Sequence, residues 1–231
     1  MDIIATGPKN PFAIAKGISF RTTHEDIAIG ILNDDIAPKA YAYILVSKGK
    51  GCIATVLGAQ FKDVDKYFNL LMETKDKIFE KRGEKLEMSE VKLFSGFGNF
   101  HLMDNYLMAN KYWVGEAAGL QDKLWGFGMR YALGSGYLAA KSIVENRDYD
   151  ALLRQKFLKQ LKTGVVNRYF FEKLGNKGYK YFLSQAKKSP IKFLKRAYSS
   201  SFLRIMLFNV KRIFSRKKSE EEIQQKEKGQ H

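Results

Sequence analysis

The sequence is poor in the residues that usually mark a metal or redox centre. Its 231 residues hold one cysteine and three histidines. No internal disulfide and no Cys-based zinc or iron–sulfur cage can form from these, and the composition fits a reducing cytoplasm. Cys52, in GKGCIATVL, reads as a small buried apolar residue on a strand. His24, in RTTHED, has no second histidine at ligand spacing. Long apolar runs are missing too. No stretch reaches the ~18 to 20 consecutive apolar residues of a membrane span, and MDIIATGPKN lacks the basic region and apolar core of a signal peptide. P-loop, zinc and catalytic-triad spacings are absent, as are internal repeats. The expectation is a protein that is soluble or lies on a surface.

Carboxylates are scarce in one part of the chain only. Residues 1–150 carry 19 Lys+Arg and 19 Asp+Glu, whereas residues 151–231 carry 21 basic and 5 acidic residues. The entire excess behind the net charge of +16 therefore belongs to the last third. Such a field acts on an anionic partner, lipid or nucleic acid, or else belongs to a solvated helical face with no partner. In residues 191–218 the cations are interleaved with Phe, Leu and Ile, which favours an anionic membrane surface. Nucleic acid is the weaker reading, because no base-reading motif accompanies the charge.

What remains is a chain with 45% apolar residues, enough for a real core. DIIATG reads as a short strand stopped by a turn. ISFRTT, IAIGIL, YAYILV and CIATVL read as antiparallel strands, the last two flanking the hairpin signal SKGKG. The two-residue period puts Tyr41, Tyr43 and Leu45 on one strand face. Residues 61–82 form an amphipathic helix through Phe61, Val64, Phe68, Leu71, Met72 and Phe79. EMSEVKLF suggests a further strand, SGFGNFHLMDNY a glycine-containing loop, and KYWV a strand. A helix follows from 126 to about Asn146. From 151 the chain is helical and basic, interrupted at Pro190, and 219–231 read as a disordered end.

The stretch from Gly115 to Met129 carries the most chemistry. A strand delivers Gly115, where a missing side chain would let backbone approach a ligand. Glu116 can accept hydrogen bonds from sugar or ribityl hydroxyls. Gly126, Phe127 and Gly128 open the next helix, whose N–H groups and dipole suit an anionic or electron-rich group. By spacing alone the same pattern also describes a helix packed closely on its neighbour with Glu116 as a partly exposed cap.

VGEAAGLQDKLWGFGMRYALGSGYLAAKSI resembles the second flavin-binding motif of the geranylgeranyl reductase-like, FAD-dependent oxidoreductases. Gly115, Ala117, Ala118, Gly119, Asp122, Gly126, Gly128, Met129, Ala132, Ser135, Gly136, Ala139 and Ala140 match it. IIATG resembles a late strand and turn of that family's FAD domain, and APKAYAYILV resembles the element lining its lipid cavity. The resemblance spans residues 1 to about 145. Glu116 stands for Asp, Lys123 for Pro, Tyr43 for Trp and Val46 for Pro. The family's G-x-G-x-x-G unit, which holds the ADP half of FAD, is missing.

The resemblance implies an α+β fold: an antiparallel substrate-domain sheet with the C-terminal remnant of an FAD-binding α/β domain, followed by a basic helical tail. Its parts would be a remnant of the FAD domain (1–17), the cavity domain (18–98), the flavin-side motif and helix (99–146), basic helices (147–218) and the tail. It implies FAD as cofactor, with Gly115, Glu116, Ala117, Gly126, Phe127, Gly128 and Met129 on the flavin and Tyr41, Tyr43, Leu45 and Trp125 on an isoprenoid lipid substrate. The activity expected is reduction of isoprenoid C=C bonds, with catalytic residues unassigned and a separate N-terminal FAD-binding chain as partner. Such a protein would be cytoplasmic and peripheral on the inner membrane face. The other reading is a non-catalytic remnant that keeps the sheet and uses its basic helices to bind a membrane or partner.

Overall fold

Strand by strand, β-branched and aromatic residues alternate with small or polar ones, and they form two sheets. The computed structural model describes residues 2–8, 12–99, 102–199 and Leu207, without the side chains of 194 and 197. The expectations for 200–206 and 208–231, including the disordered end, lie outside the described residues. In chain order the strands are β1 (Asp2–Ile4), β2 (Ala13–Arg21), β3 (Ile27–Ile31), β4 (Ala42–Ser47), β5 (Lys50–Leu57), β6 (Ser89–Gly98), β7 (Leu107–Met108) and β8 (Lys111–Trp113). The helices are α1 (Val64–Lys81), α2 (Met129–Glu145), α3 (Tyr149–Lys188) and α4 (Pro190–Tyr198). The mixed α and β architecture with an antiparallel main sheet is the one expected.

The large sheet has the order β3-β4-β5-β2-β6, antiparallel throughout. The β4–β5 hairpin turns at Lys48 (φ 51°) and Gly49 (φ 73°), both in the left-handed region that a tight two-residue turn requires. One sheet face packs Ile18, Phe20, Ile44, Val46 and Ile53 on Phe68, Leu71 and Phe79 of α1. Directly paired residues share a face, so the opposite face carries the register row Gly30, Tyr43, Ala54, Gly17, Phe94. A Cβ on Gly17 would lie 2.6 Å from the Phe94 ring and 2.6 Å from the Ala54 Cβ, so glycine is what lets that ring cross β2. Two boundaries differ from expectation. β2 begins at Ala13, inside the stretch assigned to the remnant, and β6 runs on to Gly98 through residues expected in a loop, because Ala13 and Ala15 pair with Gly98 and Gly96.

The small sheet has the order β1-β8-β7, with β1 parallel to β8. α2 and the first turns of α3 cover it, and Tyr112, Val114, Leu138, Tyr149, Leu153 and Phe157 form its core. The Tyr149 hydroxyl donates to the Trp113 carbonyl (2.9 Å), which ties α3 to β8. α3 is not continuous: Gly175 takes φ 50°, ψ −145° and breaks it. There the turn after β3 docks. The Asp34 amide donates to Asn176 Oδ1 (2.7 Å), and the Asp34 carboxylate accepts from Tyr179 (2.9 Å) and Lys39 Nζ (2.7 Å). Burial alone would raise the Asp34 pKa, but these hydrogen bonds outweigh it and hold the carboxyl below its usual range.

Candidate functional site

The chain leaves β8 at Val114 and enters a single 3-10 turn, Gly115–Ala118, closed by Gly119 at φ 64°. The Gly115 amide donates to Ser135 Oγ (2.9 Å), and a Cβ on Gly115 would meet the Ala132 Cβ at 3.3 Å. Its missing side chain permits close packing on α2. Ala117 is likewise buried, at 7% exposure. Glu116 is different. Its Oε1 accepts from the Asn99 amide (3.1 Å) and from Gln121 Nε2 (2.9 Å), while Gln121 also donates to the Asn99 carbonyl (2.6 Å). No hydrogen bond to Oε2 is seen among the described residues, so that oxygen can accept from a ligand hydroxyl.

The next loop is held by Asp122, whose Oδ1 accepts from the Leu124 (2.9 Å) and Trp125 (2.8 Å) amides. Gly126 sits at φ 77° and donates to the Asp122 carbonyl (2.9 Å). α2 starts at Met129 and not at Gly126. Its N-cap, Gly128, offers no side-chain acceptor, so the first amides of the helix point out unsatisfied by a cap. Phe127 and Met129 are 67% and 85% exposed. Beneath the loop Lys123 is buried, its Nζ donating to the Gly119 carbonyl. Desolvation pulls its pKa down to about 7, against a smaller opposing pull from Asp122.

A cavity of about 270 Å³ lies between this loop and the small-residue end of the large sheet. Ala13, Ala15, Gly96 and Gly98 form the sheet side, and Glu116, Gln121, Trp125 and Gly126 the loop side. Tyr41 joins the two, its hydroxyl donating to the Trp125 carbonyl (2.6 Å) and its ring 5.8 Å from the indole. Burial raises the Tyr41 pKa, so it is a neutral donor. Tyr43 stands beside it at 6.2 Å between ring centres. Leu45, two residues along the same face, is 44% exposed and outside the cavity. The structure thus brings Tyr41, Glu116, Trp125 and Gly126 to one cleft, with Tyr43 flanking it; a Cβ on Gly128 would lie 3.5 Å from the Cβ of Gln121, another residue of the lining.

Arg168 closes the cleft and had no place in the sequence reading. It donates to the Lys39 carbonyl (2.6 Å), the Leu124 carbonyl (3.3 Å) and Glu172 Oε1 (2.5 Å), at 6% exposure. The signal was present in the sequence: Glu172, four residues on, is the sole carboxylate between 151 and 218.

No protein-family model and no curated protein matches the sequence. Solved structures do. A geranylgeranyl bacteriochlorophyll reductase-like protein from Thermoplasma acidophilum superimposes with a TM-score of 0.57 and 16% identity, over 85% of this chain and 51% of its own. The flavin-dependent halogenase CmlS aligns with a TM-score of 0.49 and 14% identity, over 73% of this chain and 34% of its own. A flavoprotein/dehydrogenase from Cytophaga hutchinsonii aligns at 0.45 and 13%, over 73% and 44%. The chain shares part of the fold of the reductase-like protein and spans about half of that protein's length. The residues present fit the flavin side of FAD: an acceptor at Glu116 with a cavity beside it, and uncapped amides at α2. No unit for the ADP side appears among the described residues. No described helix is long and apolar enough to cross a membrane, and no metal-ligating cluster occurs among the described residues.

Proposed function

We propose that this chain is the flavin-side and substrate-side portion of an FAD-dependent oxidoreductase of geranylgeranyl reductase type, reducing C=C bonds in the isoprenoid chain of a membrane lipid. The observation that carries the proposal is the cleft in which Glu116, Gln121 and Gly126 face a sheet surface kept low by Ala13, Ala15, Gly96 and Gly98. Bound there, a reduced flavin would supply a hydride to one carbon of the double bond, and a proton would complete the C–H bond on the other. The chain's own residues do the rest. Glu116 Oε2 accepts a ribityl hydroxyl, the α2 amides bind the electron-rich edge of the ring, and the Tyr41–Trp125 hydrogen bond fixes the loop over the cavity. Arg168 holds the sheet, the loop and α3 at one spacing. Tyr41 and Tyr43 give an apolar chain an aromatic surface to lie on.

The ADP side is supplied by an N-terminal dinucleotide-binding portion, and α2 supports this reading. Its inner face buries Tyr131, Leu138 and Ala139, yet its outer face exposes Met129 (85%), Leu133 (78%), Tyr137 (66%) and Val144 (84%). A helix apolar on both faces is normally covered on both. Among the described residues, β1 is an edge strand of the same sheet.

Flavin titration tests the proposal. This chain should quench FMN and FAD fluorescence with weak and nearly equal affinity, because it contacts only what the two share. Glu116→Ala should weaken both by about tenfold, the loss expected for a charged acceptor of roughly 1.5 kcal/mol. A strong preference for FAD over FMN would place an ADP site in this chain. Binding of neither flavin would favour a non-catalytic module whose basic helices hold a membrane or partner.

A further inference from the structure

Trp125 has a second side. Away from Tyr41 its indole meets Phe171 and Phe182, each at 5.5 Å between ring centres, and Phe182 stands edge-on to Phe193 at 4.5 Å. Beyond this aromatic wall α3 and α4 enclose a separate cavity of about 500 Å³, within the roughly 300–1,000 Å³ of small-molecule sites. Its lining includes Phe170 and Leu174, 45% and 58% exposed, so an apolar surface stands open to water. Lys188, Lys192 and Arg196 also line it, spaced four residues apart along one edge. From 173 to 199 the chain holds eight Lys+Arg and no carboxylate, and Glu172 is engaged by Arg168. No acidic side chain in this segment offsets the edge.

We propose that this helical pocket binds a single-chain amphiphile with an anionic head, its chain against Phe170, Leu174, Phe182 and Phe193 and its phosphate or carboxylate on Lys188, Lys192 and Arg196. A small inorganic anion would leave the aromatic walls wet, and an uncharged chain would make no use of Lys188 and Lys192. The pocket lies across Trp125 from the flavin cleft, so the inference stands or falls apart from the proposed activity.

The two tryptophans allow a direct test. In the full chain carrying Trp113→Phe, Trp125 reports alone from the pocket wall. Dodecyl phosphate below its micelle concentration should shift Trp125 emission saturably, one molecule per chain. Inorganic phosphate should do nothing, and dodecyl maltoside and dodecyltrimethylammonium should bind at least about tenfold more weakly. Lys192→Glu with Arg196→Glu, both exposed on α4, should weaken dodecyl phosphate by at least about tenfold with unchanged circular dichroism. Equal binding of all three head groups, or no effect of the charge reversals, overturns the proposal. So does binding to vesicles of anionic phospholipid with no response to monomeric dodecyl phosphate, which would assign the basic edge to a membrane surface. A free amphiphile and a lipid extracted from vesicles are told apart by whether Trp125 responds before vesicles are added.

Discussion

Two buried cations hold the loop around the cleft, and they differ in what satisfies them. Arg168 has three acceptors on three parts of the chain. Arg168→Met strands two carbonyls and Glu172, so it should cost about 3–5 kcal/mol, read as a lower midpoint in urea with unchanged slope. Lys123 has one carbonyl and little water. Its pKa is about 7 in the fold and near 10.5 in the unfolded chain. Between those values the unfolded chain holds the proton and the fold does not, so stability rises with pH across that window; below about 7 the full penalty persists. Lys123→Met should therefore stabilise the protein at neutral pH and flatten the rise in unfolding free energy between pH 7 and 10. An unaltered slope would show that the ammonium reaches solvent.

At the scale of elements, the helix α3 carries the sharpest test. Gly175 holds a conformation open to glycine, and a Cβ there would sit 2.8 Å from Asp34 Oδ2. Gly175→Ala should cost about 1–3 kcal/mol from backbone strain and loosen the turn at Asp34. Gly136→Ala in α2, where a Cβ meets nothing within 4 Å, should instead stabilise by about 0.5–1 kcal/mol. Thermal melts of the pair separate a required break from an idle glycine. Neither difference was legible beforehand, since GNKG within a basic helical pattern looks like any interruption. The strands, the amphipathic α1 and the Gly115–Met129 turn were legible, because alternation and glycine placement are local. Arg168, the Gly115–Ala132 contact and the continuation of β6 to Gly98 were not, because each depends on a partner distant in sequence. The cleft was half legible: Glu116 and Gly126 by motif, Tyr41 and Trp125 by resemblance, but not the Gln121–Asn99 bonds that anchor the carboxylate.

Across the whole molecule, exposed apolar side chains occur both among the cations of α3 and α4 and along α2. In the described part of residues 191–218, Ile191 is exposed next in sequence to Lys192; if this segment holds an anionic membrane surface, co-sedimentation with anionic vesicles should fall steeply as salt shortens the screening length. The outer face of α2 is mainly apolar, with Arg130 in its first turn. Met129, Leu133, Tyr137 and Val144 touch water in this chain, and a surface of that kind associates. If an N-terminal portion covers it, the isolated chain should self-associate with rising concentration in the ultracentrifuge. Leu133→Glu with Tyr137→Glu should abolish that association while leaving unfolding free energy within about 0.5 kcal/mol, because exposed positions contribute little to the fold. The same double variant should keep its weak flavin affinity, since neither residue lines the cleft. Loss of folding in the variant would mean that these side chains belong to the chain's own core, and monomeric behaviour of the wild type at all concentrations would leave the outer face of α2 as ordinary surface with no partner half to cover it.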